Sequence, residues 1–122
     1  MRLFLCDDNA QYRRLARIVL QRAGHEIVAE AADGGEAIER APRYAPDIVL
    51  LDLNMPNVSG FEALPRLRDA LGPETKILVL TTGQAPQDRR LALEAGADGY
   101  IVKPERILSL DEEVRAALRG AA

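Results

Sequence analysis

Five short strand-like runs, most of them apolar, alternate along this chain with segments whose apolar residues recur at helical spacing. A short continuous apolar run is typical of a strand that is buried on both faces of a parallel sheet. Repeated βα units with short connections and right-handed crossovers favour a doubly wound α/β sheet with helices on both faces. The predicted strands are Arg2–Cys6, Glu26–Ala31, Ile48–Leu51, Lys76–Thr81 and Gly99–Val102.

Helix start and stop signals fill the segments between these strands. The first predicted helix, Ala10–Ala23, stops at Gly24. Its apolar residues are expected to face the core, namely Leu15, Ile18, Val19 and Leu20. Its arginines are expected to face solvent, namely Arg13, Arg14 and Arg17. Two prolines fall inside later predicted helices, so we expect an early end near Pro42 and a kink or a late start near Pro65.

Composition limits the class of protein. The 122 residues are enough for one domain, and we expect residues 1–122 to form it. Apolar residues make up 48% and charged residues 29% of the chain, which favours a folded globular protein over a disordered one. The net charge of -3 argues against nucleic-acid binding through a basic surface. The sequence has neither a membrane-length apolar run nor a signal peptide after Met1, so a cytoplasmic protein is expected.

Polar side chains follow the predicted strands at the points where the strands end. Asp7 and Asp8 come after the first strand, Asp52 after the third and Lys103 after the fifth, and Thr81 closes the fourth. In an open α/β sheet, ligands bind at the edge formed by the carboxyl ends of the strands. We therefore expect these side chains to form one site.

The residue types at this edge indicate phosphoryl chemistry. Three carboxylates brought together repel one another unless a cation neutralises them, and Mg²⁺ prefers such hard oxygen ligands. Asp52 is the expected nucleophile, since a carboxylate that attacks a phosphoryl group forms an aspartyl phosphate. Lys103 supplies a positive point charge for the phosphoryl oxygens, and Thr81 is placed to donate a hydrogen bond to them.

Taken in order, these residues resemble the receiver domain of bacterial two-component response regulators, the chemotaxis receivers among them. The resemblance covers essentially the whole chain and implies the flavodoxin-like strand order 2-1-3-4-5. The segments that carry it are Cys6-Asp7-Asp8, Leu51-Asp52-Leu53-Asn54-Met55-Pro56, Leu80-Thr81-Thr82 and Gly96-Ala97-Asp98-Gly99-Tyr100-Ile101-Val102-Lys103-Pro104. Such a match in sequence order is far more specific than any single motif.

The resemblance implies a role for each matching residue at the site. Asp52 would accept a phosphoryl group from a phosphohistidine on a sensor histidine kinase or a phosphotransfer protein. Asp8, Asp52 and the backbone carbonyl of Asn54 would bind Mg²⁺ directly, while Asp7 would act mainly through water. Lys103 would contact the phosphoryl group, and the bond between Lys103 and Pro104 would be cis.

The resemblance also implies a switch and an output. Thr81 would move toward the phosphoryl group, and Tyr100 would turn inward to fill the space, which is a population shift between two packings. The altered surface, formed by the fourth helix, fifth strand and fifth helix, would contact an unknown downstream protein. The first helix, with Tyr12 and its arginines, is a candidate kinase-docking face. The domain would be no enzyme toward outside metabolites and would catalyse only its own phosphorylation and dephosphorylation.

Two other classes of protein fit these residues less well. A phosphatase of the haloacid-dehalogenase type needs a second Asp two residues after the nucleophile, and Asn54 stands at that position. A degenerate receiver that only docks would be expected to lack an acid of the pair, Asp52 or Lys103, and the chain has them all.

The context of the domain stays open between two alternatives. As the sequence stands, no DNA-binding segment follows Leu118, which predicts a single-domain regulator with a protein contact as its output. The alternative is the receiver half of a DNA-binding response regulator. In either case we expect no nucleic acid to bind this domain itself.

Overall fold

The computed structural model describes residues 1–55, 57–82 and 86–121. Strands and helices alternate through these residues, and the five predicted strands are confirmed with the same bounds. The strands are β1 (Arg2–Cys6), β2 (Glu26–Ala31), β3 (Ile48–Leu51), β4 (Lys76–Thr81) and β5 (Gly99–Val102). The helices are α1 (Ala10–Arg22), α2 (Gly34–Tyr44), α3 (Gly60–Leu71), α4 (Pro86–Glu94) and α5 (Leu110–Ala121), with a 3₁₀ turn at Ile107–Ser109.

The strands form one parallel sheet in the order β2-β1-β3-β4-β5, which confirms the predicted doubly wound fold. The register aligns Cys6 with Leu51 and Leu51 with Val79, and Thr81 with Val102. Because neighbouring strands run in parallel and end at similar heights, the residues that follow them emerge at one edge of the sheet.

The two faces of the sheet build two apolar clusters. On β1, Leu3 and Leu5 belong to one cluster, while Phe4 and Cys6 belong to the other, as the alternation of a strand requires. Helices α1 and α5 cover the Leu3 face, and α2, α3 and α4 cover the Phe4 face. Burial on both faces explains why β3 and β4 are almost entirely apolar.

Helix α1 does not present the face that its sequence pattern suggested. Leu15 and Ile18 are exposed, at 42% and 39%, so the prediction that they face the core is wrong. The buried stripe instead runs through Ala16 and Leu20, with Tyr12 and Val19 packed beside them, which is also a helical spacing.

Arg13 of α1 is turned toward the sheet with its side chain only 19% exposed, so the prediction that it faces solvent is wrong, whereas Arg17 binds the same partner and keeps a side chain that is 41% exposed. Arg13 Nε lies 3.1 Å from Glu30 Oε1, and Arg17 Nη1 lies 2.8 Å from Glu30 Oε2. Because Glu30 belongs to β2, the outermost strand on this side of the sheet, its carboxylate draws both guanidinium groups down onto the strand. Arg14 remains exposed, as predicted.

Both interior prolines lie within helices that continue past them. Helix α2 passes through Pro42 and ends two residues later, at Tyr44, so its end does lie near Pro42. Helix α3 begins at Gly60 rather than near Pro65, so the late start is wrong. A proline removes one backbone donor, and burial of the helix face next to it offsets that loss. Ala41 is fully buried beside Pro42, and Leu64 and Leu67 are fully buried beside Pro65.

Gly60 lets the start of α3 lie directly against the loop that carries Asp52. A Cβ atom at Gly60 would lie 2.6 Å from the Leu53 Cα and would clash with the Asp52 carbonyl oxygen. The Gly60 N–H also donates to the Leu53 carbonyl oxygen at 3.0 Å. The position of Asp52 therefore depends on the absence of a side chain at residue 60.

His25 ties the turn before β2 to α5. Its Nε2 lies 2.6 Å from Asp111 Oδ1, and Arg115 Nε donates to Asp111 Oδ2 at 2.8 Å. Burial alone would raise the pKa of Asp111, but the hydrogen bonds from Arg115 and His25 outweigh it and lower this pKa below its ordinary value. His25 thus has a structural role, and its partner lies far along the chain.

None of the helices in the described ranges has the length and apolar character needed to cross a membrane.

Replacing Gly60 with alanine is expected to lower the free energy of unfolding by about 1–3 kcal/mol, because the added methyl group meets backbone rather than a movable side chain. The matched control is Gly35→Ala on α2, whose new Cβ would make only ordinary contacts and would favour the helix. Urea unfolding of both variants measures the difference. Equal stability of Gly60→Ala and wild type would contradict the tight contact.

Asp111→Asn is expected to lower the free energy of unfolding by about 1 kcal/mol at neutral pH, since a neutral amide is a weaker acceptor than a carboxylate. A lowered folded pKa means that the unfolded chain binds the proton more readily, so Asp111 contributes stability above its ordinary pKa of 3.8. The difference between variant and wild type should shrink as the pH falls below that value. Urea unfolding between pH 7 and pH 3 measures it, with the exposed Glu113→Gln on the same helix as control.

Candidate functional site

Three carboxylates meet at the carboxyl edge of the sheet. One oxygen from each of Asp7, Asp8 and Asp52 lies within 4.8 Å of the others. Backbone hydrogen bonds continue the pairing of the strands as far as Asp7 and Asp52 and so fix their positions. The Asp7 N–H donates to the Ala31 carbonyl oxygen, and the Asp52 N–H donates to the Cys6 carbonyl oxygen. Asp7 and Asp52 are buried, whereas Asp8 is exposed. The acids that the sequence singled out therefore do converge.

Lys103 brings a positive charge into this cluster. Its Nζ lies 2.7 Å from Asp7 Oδ2 and 3.6 Å from Asp52 Oδ2, and its side chain is only 11% exposed. The Lys103 N–H donates to the Thr81 carbonyl oxygen at 2.8 Å, which anchors the residue at the end of the β4–β5 ladder. One ammonium offsets one of the three carboxylates, so the site keeps a net negative charge.

Burial and this surplus negative charge both affect the pKa of Asp52. Burial raises the pKa of Asp52 above its ordinary value, and the charges of Asp7 and Asp8 add to this effect. A hydrogen bond from the Asn54 N–H, at 3.1 Å from Asp52 Oδ1, and the charge of Lys103 act in the opposite direction without cancelling it. The ionised form of Asp52 is therefore less stable in this site than it would be in water.

The three carboxylates differ in how many partners they already have. Asp7 Oδ1 accepts a hydrogen bond from the Asn9 N–H at 2.8 Å, and Asp7 Oδ2 accepts one from Lys103. Asp8 has no hydrogen bond or ion pair to any residue in the described ranges. An exposed carboxylate beside a buried one, both oxygen donors with surplus negative charge, suits a hard divalent cation. The residues present therefore fit a metal ion.

Asn54 and Thr81 are joined by their side chains. Asn54 Nδ2 donates to Thr81 Oγ1 at 3.2 Å, and Thr81 is completely buried. Sequence reasoning gave Asn54 a role only through its backbone carbonyl, so this side-chain contact was missed. No local sequence signal could have revealed it, because the contact joins the loop after β3 to the end of β4, 27 residues along the chain.

Tyr100 lies on the strand next to Thr81. The register pairs Tyr100 with Val79, two residues before Thr81 on β4, so Tyr100 and Thr81 share one face of the sheet. Tyr100 is half-buried against the cluster on that face, and this burial raises its pKa. The two residues predicted as a switch pair are thus close along the sheet, with Tyr100 in a partly exposed position.

Two expectations about neighbours of Lys103 are corrected. The peptide bond between Lys103 and Pro104 is trans, so the cis bond implied by the resemblance is wrong, and no peptide bond within the described residues is cis. Trans is the lower-energy isomer of such a bond by about 0.5–1 kcal/mol. Tyr12, expected on a docking face, is half-buried with its ring against the Lys103 ammonium.

Comparison with known proteins identifies the family. Residues 3–115 match the response regulator receiver domain. The chain therefore belongs to the receiver domain family of two-component response regulators.

Individual relatives agree with this assignment. The nitrate/nitrite response regulator protein NarP of Escherichia coli (strain K12) is 40% identical over 98% of this chain and 55% of its own length. The chain thus spans about half the length of that relative. A two-component response regulator of the LuxR family from Aurantimonas sp. SI85-9A1 superposes with a TM-score of 0.87 at 38% identity, covering 98% of this chain and 85% of that one.

A third relative was solved in a phosphorylated form. It is a response regulator protein from Burkholderia pseudomallei with a phosphorylated aspartic acid, a calcium ion and citrate. Its TM-score is 0.82 at 28% identity, covering 97% of this chain and 69% of that one.

Asp8→Asn is expected to stabilise the protein in the presence of a chelator by up to about 1 kcal/mol, because it removes repulsion on the buried acids without breaking a bond. Urea unfolding in EDTA measures this change, and adding a divalent cation should reverse the order of stabilities. Glu74→Gln, an equal charge change at an exposed site between α3 and β4, is the control. A destabilised Asp8→Asn protein in EDTA would contradict the repulsion described here.

Proposed function

We propose that this domain accepts a phosphoryl group on Asp52 from a phosphohistidine of a sensor histidine kinase or a phosphotransfer protein. The observation that carries the proposal is the convergence of the acids Asp7, Asp8 and Asp52 with Lys103 at the carboxyl edge of the sheet. The family supports it, since a related receiver-containing protein has been observed with a phosphorylated aspartic acid.

Each residue has a part in the transfer. An Asp52 carboxylate oxygen forms a bond to phosphorus as the bond between phosphorus and the donor histidine nitrogen breaks. The Asn54 N–H holds the other Asp52 oxygen, which fixes the direction of attack. Lys103, already 3.6 Å from Asp52, attracts the phosphoryl oxygens as they arrive.

Asp8, Asp52 and the backbone carbonyl of Asn54 would hold Mg²⁺, with Asp7 acting mainly through water. The two hydrogen bonds that Asp7 already accepts support this division, and so does the lack of a described partner at Asp8. When bound, Mg²⁺ would offset negative charge on the acceptor and phosphoryl oxygens, including that of the buried Asp52.

Transfer would change the packing at Thr81 and Tyr100. When Thr81 turns its hydroxyl to the phosphoryl group, the hydrogen bond from Asn54 Nδ2 is lost. The half-buried Tyr100 then turns further inward on the same face of the sheet. Two packings that differ by a few kcal/mol suffice for such a switch. The changed surface is that of α4, β5 and α5, and its target is a downstream protein.

The kinase or phosphotransfer partner would dock on the part of α1 that is exposed. Arg14, Leu15 and Ile18 are on this surface, whereas Arg13 and Arg17 pair with Glu30. Apolar side chains within a polar rim are typical of such contact surfaces.

In a second candidate function, this receiver domain controls a longer response regulator that binds DNA through another part of its chain. It is favoured by the names of the relatives, several of which are transcriptional regulators, and by the half of their length that this chain spans. In both cases the domain itself would bind no nucleic acid and act on no outside metabolite. A cytoplasmic location stays a prediction.

The test is the intact mass of the protein after incubation with acetyl phosphate, with and without Mg²⁺. One added phosphoryl group that requires both Mg²⁺ and Asp52 is expected, and Asp52→Asn should abolish it because no acceptor carboxylate remains. Asp69→Asn, an exposed site on α3, is the control and should label like wild type. Equal labelling of Asp52→Asn, or an unlabelled wild type that binds Mg²⁺, would contradict the proposal.

A further inference from the structure

The ring of Tyr12 lies directly against the ammonium group of Lys103. Lys103 Nζ is 4.1 Å from the centre of the ring, well inside the distance at which a cation and an aromatic face attract. Tyr12 is held in the first turn of α1, where its N–H donates to Asn9 Oδ1 at 3.0 Å. Lys103 therefore has an aromatic contact in addition to its contacts with Asp7 and Asp52.

The aromatic contact differs in kind from the two ionic ones. A lysine side chain is a flexible stem that carries a point charge, so contacts must fix where the ammonium lies. The charge of Asp52 changes when a phosphoryl group attaches, and Asp7 borders the same site. The attraction of the ring does not depend on the state of Asp52. Tyr12 is thus a contact that can hold Lys103 both before and after transfer.

The hydroxyl of Tyr12 adds nothing to this contact. The Tyr12 Oη atom is buried and has no hydrogen-bond partner within the described residues. Burial, with the charges of Asp7 and Asp52, raises the pKa of Tyr12 to about 12, so the phenol stays neutral. An unpartnered buried hydroxyl is unfavourable for folding. Any role of Tyr12 at the site therefore rests on its ring.

We propose that Tyr12 is a positioning residue whose ring holds the Lys103 ammonium at the acceptor site and thereby sets the rate of phosphoryl transfer to Asp52. This rests on the proposed function of Asp52. The ring acts through Lys103: it keeps the Lys103 ammonium beside Asp52 as the phosphoryl group arrives.

The chain offers a direct readout of this contact because it has two lysines, Lys76 and Lys103. Selective isotope labelling of lysine gives two side-chain NMR signals, and Lys76 serves as the internal reference. In wild type, the ε-methylene protons of Lys103 should be shifted by the Tyr12 ring. Tyr12→Phe should keep this shift, and Tyr12→Leu should lose it. Neither spectrum requires phosphorylation.

The second readout is the rate of labelling by acetyl phosphate at saturating Mg²⁺. Tyr12→Leu is expected to slow it about tenfold, which is within the range of a partly buried cation–π contact. Tyr12→Phe should retain the wild-type rate and, without the unpartnered hydroxyl, should be at least as stable to urea. Tyr44→Leu, which removes a half-buried ring on α2 beside Arg40, is the matched control and should not change the rate.

An unchanged Lys103 signal in folded Tyr12→Leu would overturn the proposal, and so would a lost signal with no change in rate. A slow Tyr12→Phe protein would equally overturn it, because the ring would be present without effect. A wild-type protein that takes no phosphoryl group would overturn the proposed function, while the lysine spectra would still decide whether the ring holds Lys103.

Discussion

Mutual repulsion among Asp7, Asp8 and Asp52 is the constraint around which this domain is built. Asp7 and Asp52 are buried beside Asp8, and burial is the largest cause of the raised pKa of Asp52, with the charges of Asp7 and Asp8 adding to it. Lys103 offsets part of this charge through its short contact with Asp7. The negative charge that remains, carried by hard oxygen ligands, fits a divalent cation.

The fold maintains this unfavourable arrangement through rigid backbone contacts. Each acid follows a strand buried on both faces, so its position is fixed by a core that the charges cannot displace. Gly60 brings α3 against the Asp52 loop, and Asn9 ties the Asp7 loop to α1. In the proposed function, a local change at this edge is passed to β4 and β5, because a core packed on both faces of the sheet leaves little room for the strands to adjust independently.

Sequence alone was enough for the features that depend on local pattern. The bounds of all five strands follow from short apolar runs, and the edge that gathers the acids follows from parallel strands. Contacts between residues that are far apart in the sequence could not be predicted. Leu15 and Ile18 fit a helical stripe as well as Ala16 and Leu20 do, and the structure alone shows that Ala16 and Leu20 pack in the core. The pairing of Arg13 with Glu30 on β2 agrees with that orientation. The contacts of His25 with Asp111 and of Tyr12 with Lys103 join opposite ends of the chain, so spacing carries no sign of them.

We propose that charge at Asp52 controls the packing of Thr81 and Tyr100. The backbone amide NMR spectrum with beryllofluoride and Mg²⁺ tests this, since beryllofluoride is a stable mimic of the phosphoryl group. Shifts are expected at Asp7, Asp8 and Asp52, and they should extend to Thr81 and Tyr100 only when both additives are present. Shifts confined to the acids, with Thr81 and Tyr100 unmoved at saturation, would contradict it.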